Sequence, residues 1–277
     1  MLTRRALKRY IRQIYAITEK EILLLLRVKV NFFTSLINPV VQLLVLIFIF
    51  GLIFNIREGY NIGYWNSSNF ILFLLIAFCI QFSKSIIGKY DNLFATEKYW
   101  KTLSANMIAP VHRFTLLTGI LISDFIIHSI PLVILFIIAY ILFPIPIFFL
   151  LLTLLVFFSI YLIFASIGLI IGVFRISNEK YVYYAKFLLQ FVFLLSCTNY
   201  PKEIFPEFIQ SIIILNPFYY IFELLRLTWY LGIDYEVAIS YISFTHIIII
   251  LVLTIFSPFF SVYLFNRIYH KYGITGY

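Results

Sequence analysis

FTLLTGILISDFIIHSIPLVILFIIAYIL, Phe114 to Leu142, is followed after only Phe143 to Pro146 by IFFLLLTLLVFFSIYLIFASIGLIIGVF, Ile147 to Phe174. Each run exceeds the roughly 20 residues that a helix needs to cross a hydrocarbon layer of about 30 Å. Neither alternates apolar with polar, as the ~10-residue strands of a membrane barrel must. Both therefore read as spanning helices whose backbone polar groups are satisfied internally. Four further blocks of similar character flank them: Leu36 to Phe54, Asn69 to Ile87, Tyr181 to Thr198 and Phe244 to Phe265. The expected fold is an all-α integral membrane protein of six transmembrane helices, forming one domain over residues 1–277.

Composition agrees with this reading. Of 277 residues, 63% are hydrophobic and 12% charged, whereas about a quarter of a soluble domain is charged. Mean hydropathy is +1.00. The net charge of +9 does not point to nucleic acid, because the basic residues fall in short segments between apolar blocks rather than in one aromatic-interleaved patch. Positive side chains resist translocation. One side of the membrane would carry Arg4, Arg5, Lys8, Arg9, Arg12, Lys20, Arg27 and Lys29, then Lys89, Lys98, Lys101 and Arg113, then Arg175, Lys180 and Lys186, and in the tail Arg267 and Lys271. The other side would carry Arg57, Lys202 and Arg226, with Lys84 at the inner edge of the second span. Both termini are therefore expected in the cytoplasm, with the chain in the cell membrane. The first apolar block follows a long basic segment and is closed by no small-residue cleavage site, which argues against a removed signal peptide.

Three segments outside the spans carry pattern. Within residues 1–33, Leu7, Ile11, Ile14, Thr18, Ile22 and Leu25 share one helical face and Arg5, Lys8, Arg9 and Arg12 the other, the pattern of an amphipathic helix lying on the inner leaflet. The second cytoplasmic loop, Gly88 to Arg113, is too long for a bare connection. Leu93, Trp100, Leu103 and Met107 recur in it at helical spacing among Asp91, Glu97, Lys98 and Lys101. It reads either as a docking helix or as a helix resting on the bilayer. Phe208 to Leu231 is apolar enough for a seventh span, but Asn216 and Pro217 break it near the middle. Glu223 and Arg226 would each cost roughly 2.5–3.5 kcal/mol in hydrocarbon. A pair of short helices that dips into the outer leaflet and returns, within residues 200–231, fits better.

Residues fit for chemistry are few. No GxxxxGK[ST] loop occurs, so the chain has no such cradle for a nucleotide. His112, His128, His246 and His270 lack metal-ligand spacing, Cys79 and Cys197 form no thiolate pair motif, and no catalytic triad or paired carboxylates can be read. An enzyme is not expected. Asp124 and His128 lie four apart on one face of the third span, and ionisable groups inside a membrane are functional candidates by default. They read as a substrate or proton path, or as a mutually bonded pair facing the bundle beside a kink at Pro131. Gly168 and Gly172 form a GxxxG pair, open to packing within the chain or to dimerisation.

Taken in order along the chain, three segments resemble the permease family of type 2 ABC exporters. EKEILLLLRVKVNFFTSLINPVVQ, Glu19 to Gln42, resembles that family's amphipathic helix running into a first span broken at Asn-Pro, here Asn38 and Pro39. TEKYWKTLSANMIAPVHRFTLLTGIL, Thr96 to Leu121, resembles its coupling segment, with Ala109, Pro110 and Arg113. NYPKEIFPEFIQSIIILNPFYYIFELLR, Asn199 to Arg226, resembles its outer re-entrant segment, with Pro201, Pro206, Asn216, Pro217, Glu223 and Arg226 in order. One departure is Phe94-Ala95-Thr96, where family members often show a glycine before the coupling helix.

The resemblance implies a dimer of six-span permeases, made with a second copy or a paralogue, above two separate cytoplasmic ABC ATPase subunits. ATP and magnesium would be bound by those partners and no cofactor by this chain; membrane lipids would be the remaining contact. Glu97, Trp100, Lys101, Leu103 and Arg113 would meet the ATPase, and Asn216, Pro217, Glu223 and Arg226 would form the outer segment. There Glu223 and Arg226, three apart, would shape an exit gate or simply pair structurally. The expected function is export of an unidentified substrate, amphipathic, lipidic or glycan, with an ion- or proton-coupled secondary transporter as the alternative.

Overall fold

The computed structural model describes residues 4–27, 33, 34, 37, 41, 44–49, 63–66, 68–101 and 113–272. Its helices are α1 (Arg4–Arg27), α2 (Phe70–Tyr99), α3 (Arg113–Leu142), α4 (Ile147–Ser177), α5 (Glu179–Leu194), α6 (Glu207–Ile214), α7 (Pro217–Tyr230), α8 (Tyr235–Tyr241) and α9 (Phe244–Tyr272), with a 3-10 turn at Lys202–Ile204. The predicted first span, Leu36 to Phe54, falls largely outside the described residues, as do Leu103 and Met107. Among the described residues three helices, α2, α4 and α9, are individually long and apolar enough to cross a membrane. The number rises to five if α3 and the pair α6–α7, each bent, count as one span apiece.

α4 is the hub. It packs along α2 on one side and α9 on another, and also meets α5 and α7. Glycines set its approach to α2: a Cβ on Gly168 would come within 2.8 Å of the Tyr90 ring and 3.0 Å of Ile87 Cα, and one on Gly172 would overlap the Phe94 ring. The GxxxG pair thus serves packing within this chain. A third glycine does the same for α1, which lies on the first turns of α3: a Cβ on Gly119 would come within 2.8 Å of Ile17. Beside it, the Thr18 hydroxyl donates to the Gly119 carbonyl at 3.1 Å. This docking rotates the inward face of α1 from the predicted stripe. Ile17 and Glu21 turn inward beside Ile14, Thr18 and Ile22, while Ile11 remains exposed.

Three helix ends differ from the sequence reading, those of α2, α5 and α9, while the expected breaks at Pro131 and at Asn216-Pro217 are present. α2 does not end near Ile87 but continues unbroken to Tyr99, because Tyr90, Asp91, Phe94 and Glu97 carry the buried face onward at helical spacing. The expected docking helix is therefore the last third of a long rod, and Lys84 sits at its middle rather than at an inner edge. α3 is bent by 54° between Phe114–Ser129 and Pro131–Leu142, where Pro131 cannot donate a backbone hydrogen bond. α5 stops at Leu194 after 16 residues, short of the predicted Thr198. The chain then turns through Cys197, a non-glycine residue at φ 54°. α9 runs on to Tyr272, past the predicted Phe265. α6 and α7 meet at 91° across Leu215 and Asn216, where the Asn216 side chain caps α7 and Pro217 opens it.

The outer surface is that of a protein in lipid. Along α9, Ile247, Ile248, Leu251, Val252, Ile255, Phe256 and Phe259 are all exposed. So continuous an apolar face finds its solvent in hydrocarbon, not water.

Candidate functional site

Polar side chains inside the bundle gather at three levels, and α2 touches all of them. At the end where α1 docks, Lys20 of α1 donates to Glu97 of α2 at 2.9 Å. Glu21 lies beneath, its Oε1 3.9 Å from Lys20; burial pushes its carboxyl above the usual range, and Lys20 and Lys89 pull the other way. One turn further α2 ends. Trp100, 57% exposed, projects from the last turn, and Lys101 takes a left-handed conformation at φ 59°. That conformation is the usual way to stop a helix and favours glycine. Phe94-Ala95-Thr96, where a glycine was noted as missing, lies inside the continuous α2 helix. Of the other residues expected at this surface, Arg113 opens α3 and Leu103 lies outside the described residues. Nearby, Asp91 is buried and binds both Arg175 of α4, at 2.5 and 2.8 Å, and Lys186 of α5, so one carboxylate ties three helices. On the rim, Lys98 reaches Glu179 at 3.4 Å.

The second level is built on Asp124, only 1% exposed. His128 Nδ1 lies 3.3 Å from its carboxylate, as the spacing of four predicts. Two partners on other helices complete it: Tyr161 of α4 donates at 2.5 Å, and Lys89 of α2 lies at 3.7 Å while donating to Ser123 at 3.0 Å. Asp124 and His128 thus sit in a network that joins α2, α3 and α4. A buried carboxylate so engaged is costly to disturb.

The third level surrounds Arg226, which is fully buried. Its guanidinium donates to the carbonyls of Cys197 at 2.8 Å and Thr198 at 2.6 Å and to Glu223 at 3.1 Å, and stands 4.0 Å over the Phe73 ring. Glu223 also accepts from Tyr64 at 2.5 Å. Asn216 acts at both ends of its amide: the oxygen caps α7 by accepting from Phe218 N–H at 3.0 Å, and the nitrogen donates to the Val192 carbonyl at 2.7 Å. These residues satisfy carbonyls that the early end of α5 leaves without helical partners. Irregular backbone within apolar surroundings is tolerated only when it is satisfied in this way. Glu223 and Arg226 are thus paired, at 3.1 Å. α7 then runs from Phe218, stacked near Phe164 midway along α4, to Trp229, which donates to the Phe143 carbonyl at 3.3 Å.

Two of the three clusters were announced by residues one helical turn apart. Lys89, Tyr161, Tyr64 and Lys20 were not, because each reaches its partner across helices. Tyr161 does stand out as the one ionisable residue within Ile147 to Phe174, a signal that was available. Beside these clusters, an apolar groove of about 340 Å³ opens between α3 and α4, lined by Phe125, Leu132, Phe136, Leu150 and Phe157 among others. Among the described residues no three His, Cys, Asp or Glu side chains converge as a metal site would require.

The ABC-2 type transporter family model matches residues 12–230, and the chain belongs to that family: it is a multi-pass membrane permease of ABC-type transport, a component that normally works with an ABC ATPase. No curated protein matches the chain.

Proposed function

We propose that the chain is the permease of an ATP-driven exporter, with six spans and both ends in the cytoplasm of the cell. It would work as a pair, with a second copy or a paralogue, and ATP would be hydrolysed on separate subunits. The observation that carries this reading is the course of α2. Thirty unbroken residues, about 45 Å of helix, run from beside Phe73 and Arg226, past Lys89 and Asp124, to the exposed Trp100. A rod with Trp100 exposed at one end and the other end set against the broken segment can pass a push from one face of the membrane to the other. The α2 end, with Glu97, Trp100 and Lys101, would seat on the ATPase; Leu103 and Arg113 would continue that surface, and α1, held by Lys20, would move with it. The paired α6 and α7 would dip into the outer leaflet and return. ATP-driven closure would then bias the bundle between two arrangements by differential contact.

The secondary-transporter alternative needs a carboxylate open to a proton path, and Asp124 is buried and engaged by three side chains. The decisive experiment is purification of the tagged chain in mild detergent from its native cells. An ATP-hydrolysing subunit should copurify, and Trp100→Asp with Leu103→Asp should abolish its association while membrane insertion stays normal. Normal association in the double variant would sink the coupling assignment. Absence of any ATPase would move the alternative ahead.

A further inference from the structure

Where α5 ends early, a cavity of about 510 Å³ lies between α2 and α5, and its polar lining is Gln81, Lys84, Gln190, Thr198 and Asn199. Among the described residues Lys84 is its only charged side chain. The ammonium donates to Thr198 Oγ1 at 2.9 Å and stands 4.5 Å from the Phe193 ring centroid. Lys84 is seven residues from Asp91, about 10 Å along the helix, on the apolar side of the Asp91–Arg175 tie. A cation at such depth is expensive unless paired. All Asp and Glu residues of the chain except Glu58 lie among the described residues, and none of those comes within 4.0 Å of Lys84. Glu223, in the broken segment, is held by Arg226 and Tyr64. Lys84 therefore has no carboxylate partner among the described residues, and its side-chain contacts in the cavity are the Thr198 hydroxyl and the Phe193 ring. Amide and hydroxyl groups around that charge are the donors that an anionic oxygen takes up.

We infer that this cavity binds the anionic group, phosphate-like or carboxylate-like, of an amphipathic molecule, with Lys84 as its counter-ion. The apolar remainder of the ligand would lie along the exposed face of α5, where Phe187, Leu188 and Phe191 are bare. That the anion is transported cargo rests on the permease reading; that it binds here does not.

The test uses the full chain in nanodiscs of neutral phosphatidylcholine, with Leu194→Cys as reporter, because Leu194 is exposed at the cavity wall while Cys79 and Cys197 are buried. Maleimide labelling is followed with rising dodecyl phosphate, dodecyl maltoside, dodecyltrimethylammonium or inorganic phosphate. Dodecyl phosphate should protect at a concentration at least about tenfold below that of the neutral and cationic amphiphiles, the worth of one charge-assisted hydrogen bond. Lys84→Gln should remove that advantage and Lys84→Arg retain it. Inorganic phosphate should protect poorly; equal protection by it would overturn the amphipathic part of the inference. Equal protection by the neutral or cationic amphiphile, or an undiminished advantage in Lys84→Gln, would overturn the site itself. The comparison of ligand charges is made on unsubstituted Lys84, so it holds even if a variant folds poorly. No ATPase is needed, so failure here is separate from failure of the exporter reading.

Discussion

Arg226 shows how much one side chain can hold in an apolar interior. It serves two carbonyls, one carboxylate and one ring at once, so its removal leaves Glu223 and the turn after α5 unsatisfied. Arg226→Ala should cost about 3–5 kcal/mol, the usual penalty for breaking a buried pair from one side, and appear as a clear fall in melting temperature of the purified chain. Arg226→Lys should recover only part of it, since a single ammonium lacks the second terminal nitrogen, Nη1, that reaches Glu223 while Nη2 serves both carbonyls. A variant that melts with the parent would show that the turn is held by something else. In the sequence, Glu223 and Arg226 announce themselves by their spacing of three and Asp124 and His128 by their spacing of four. Their partners on other helices do not: nothing in the order of residues says that Tyr64 meets Glu223 or that Lys89 meets Asp124.

At the scale of elements, helix existence was legible from apolar runs, and helix ends much less so. α2 outruns its apolar block because Asp91 and Glu97, polar in the sequence, find partners on α4, α5 and α1. Hydropathy cannot register a charge that is neutralised from elsewhere. α5 falls short of its block because Asn216 and Arg226 supply an alternative to helical hydrogen bonds there. The α2–α4 crossing gives a direct test. Gly172→Ile would drive a branched side chain into the Phe94 ring; overpacking of this kind costs about 1–3 kcal/mol. Gly88→Ile, at a glycine whose added Cβ would meet nothing within 4 Å, is the control. The first variant should lower melting temperature and yield, the second should leave both near the parent; equal behaviour would mean that the two helices do not cross through these glycines.

For the whole molecule, the family and the membrane class follow from sequence alone, while the arrangement of helices around α4 needs the contacts. Side of the membrane is the property most open to a simple probe. A cysteine at Ser211 in α6 should react with an impermeant thiol reagent only from outside the cell, and labelling from the cytoplasmic face would overturn the six-span topology. The brevity of α5 has a consequence for the surroundings as well. Its 16 residues reach only about 24 Å, less than the ~30 Å hydrocarbon layer beside it. As one of the six spans proposed above, α5 would draw the lipid beside it inward, and headgroups toward Lys84, at an energetic cost that grows with bilayer thickness. Transport in proteoliposomes should therefore be faster with short-chain than with long-chain phosphatidylcholine, so that the chain senses the thickness of the membrane in which it sits.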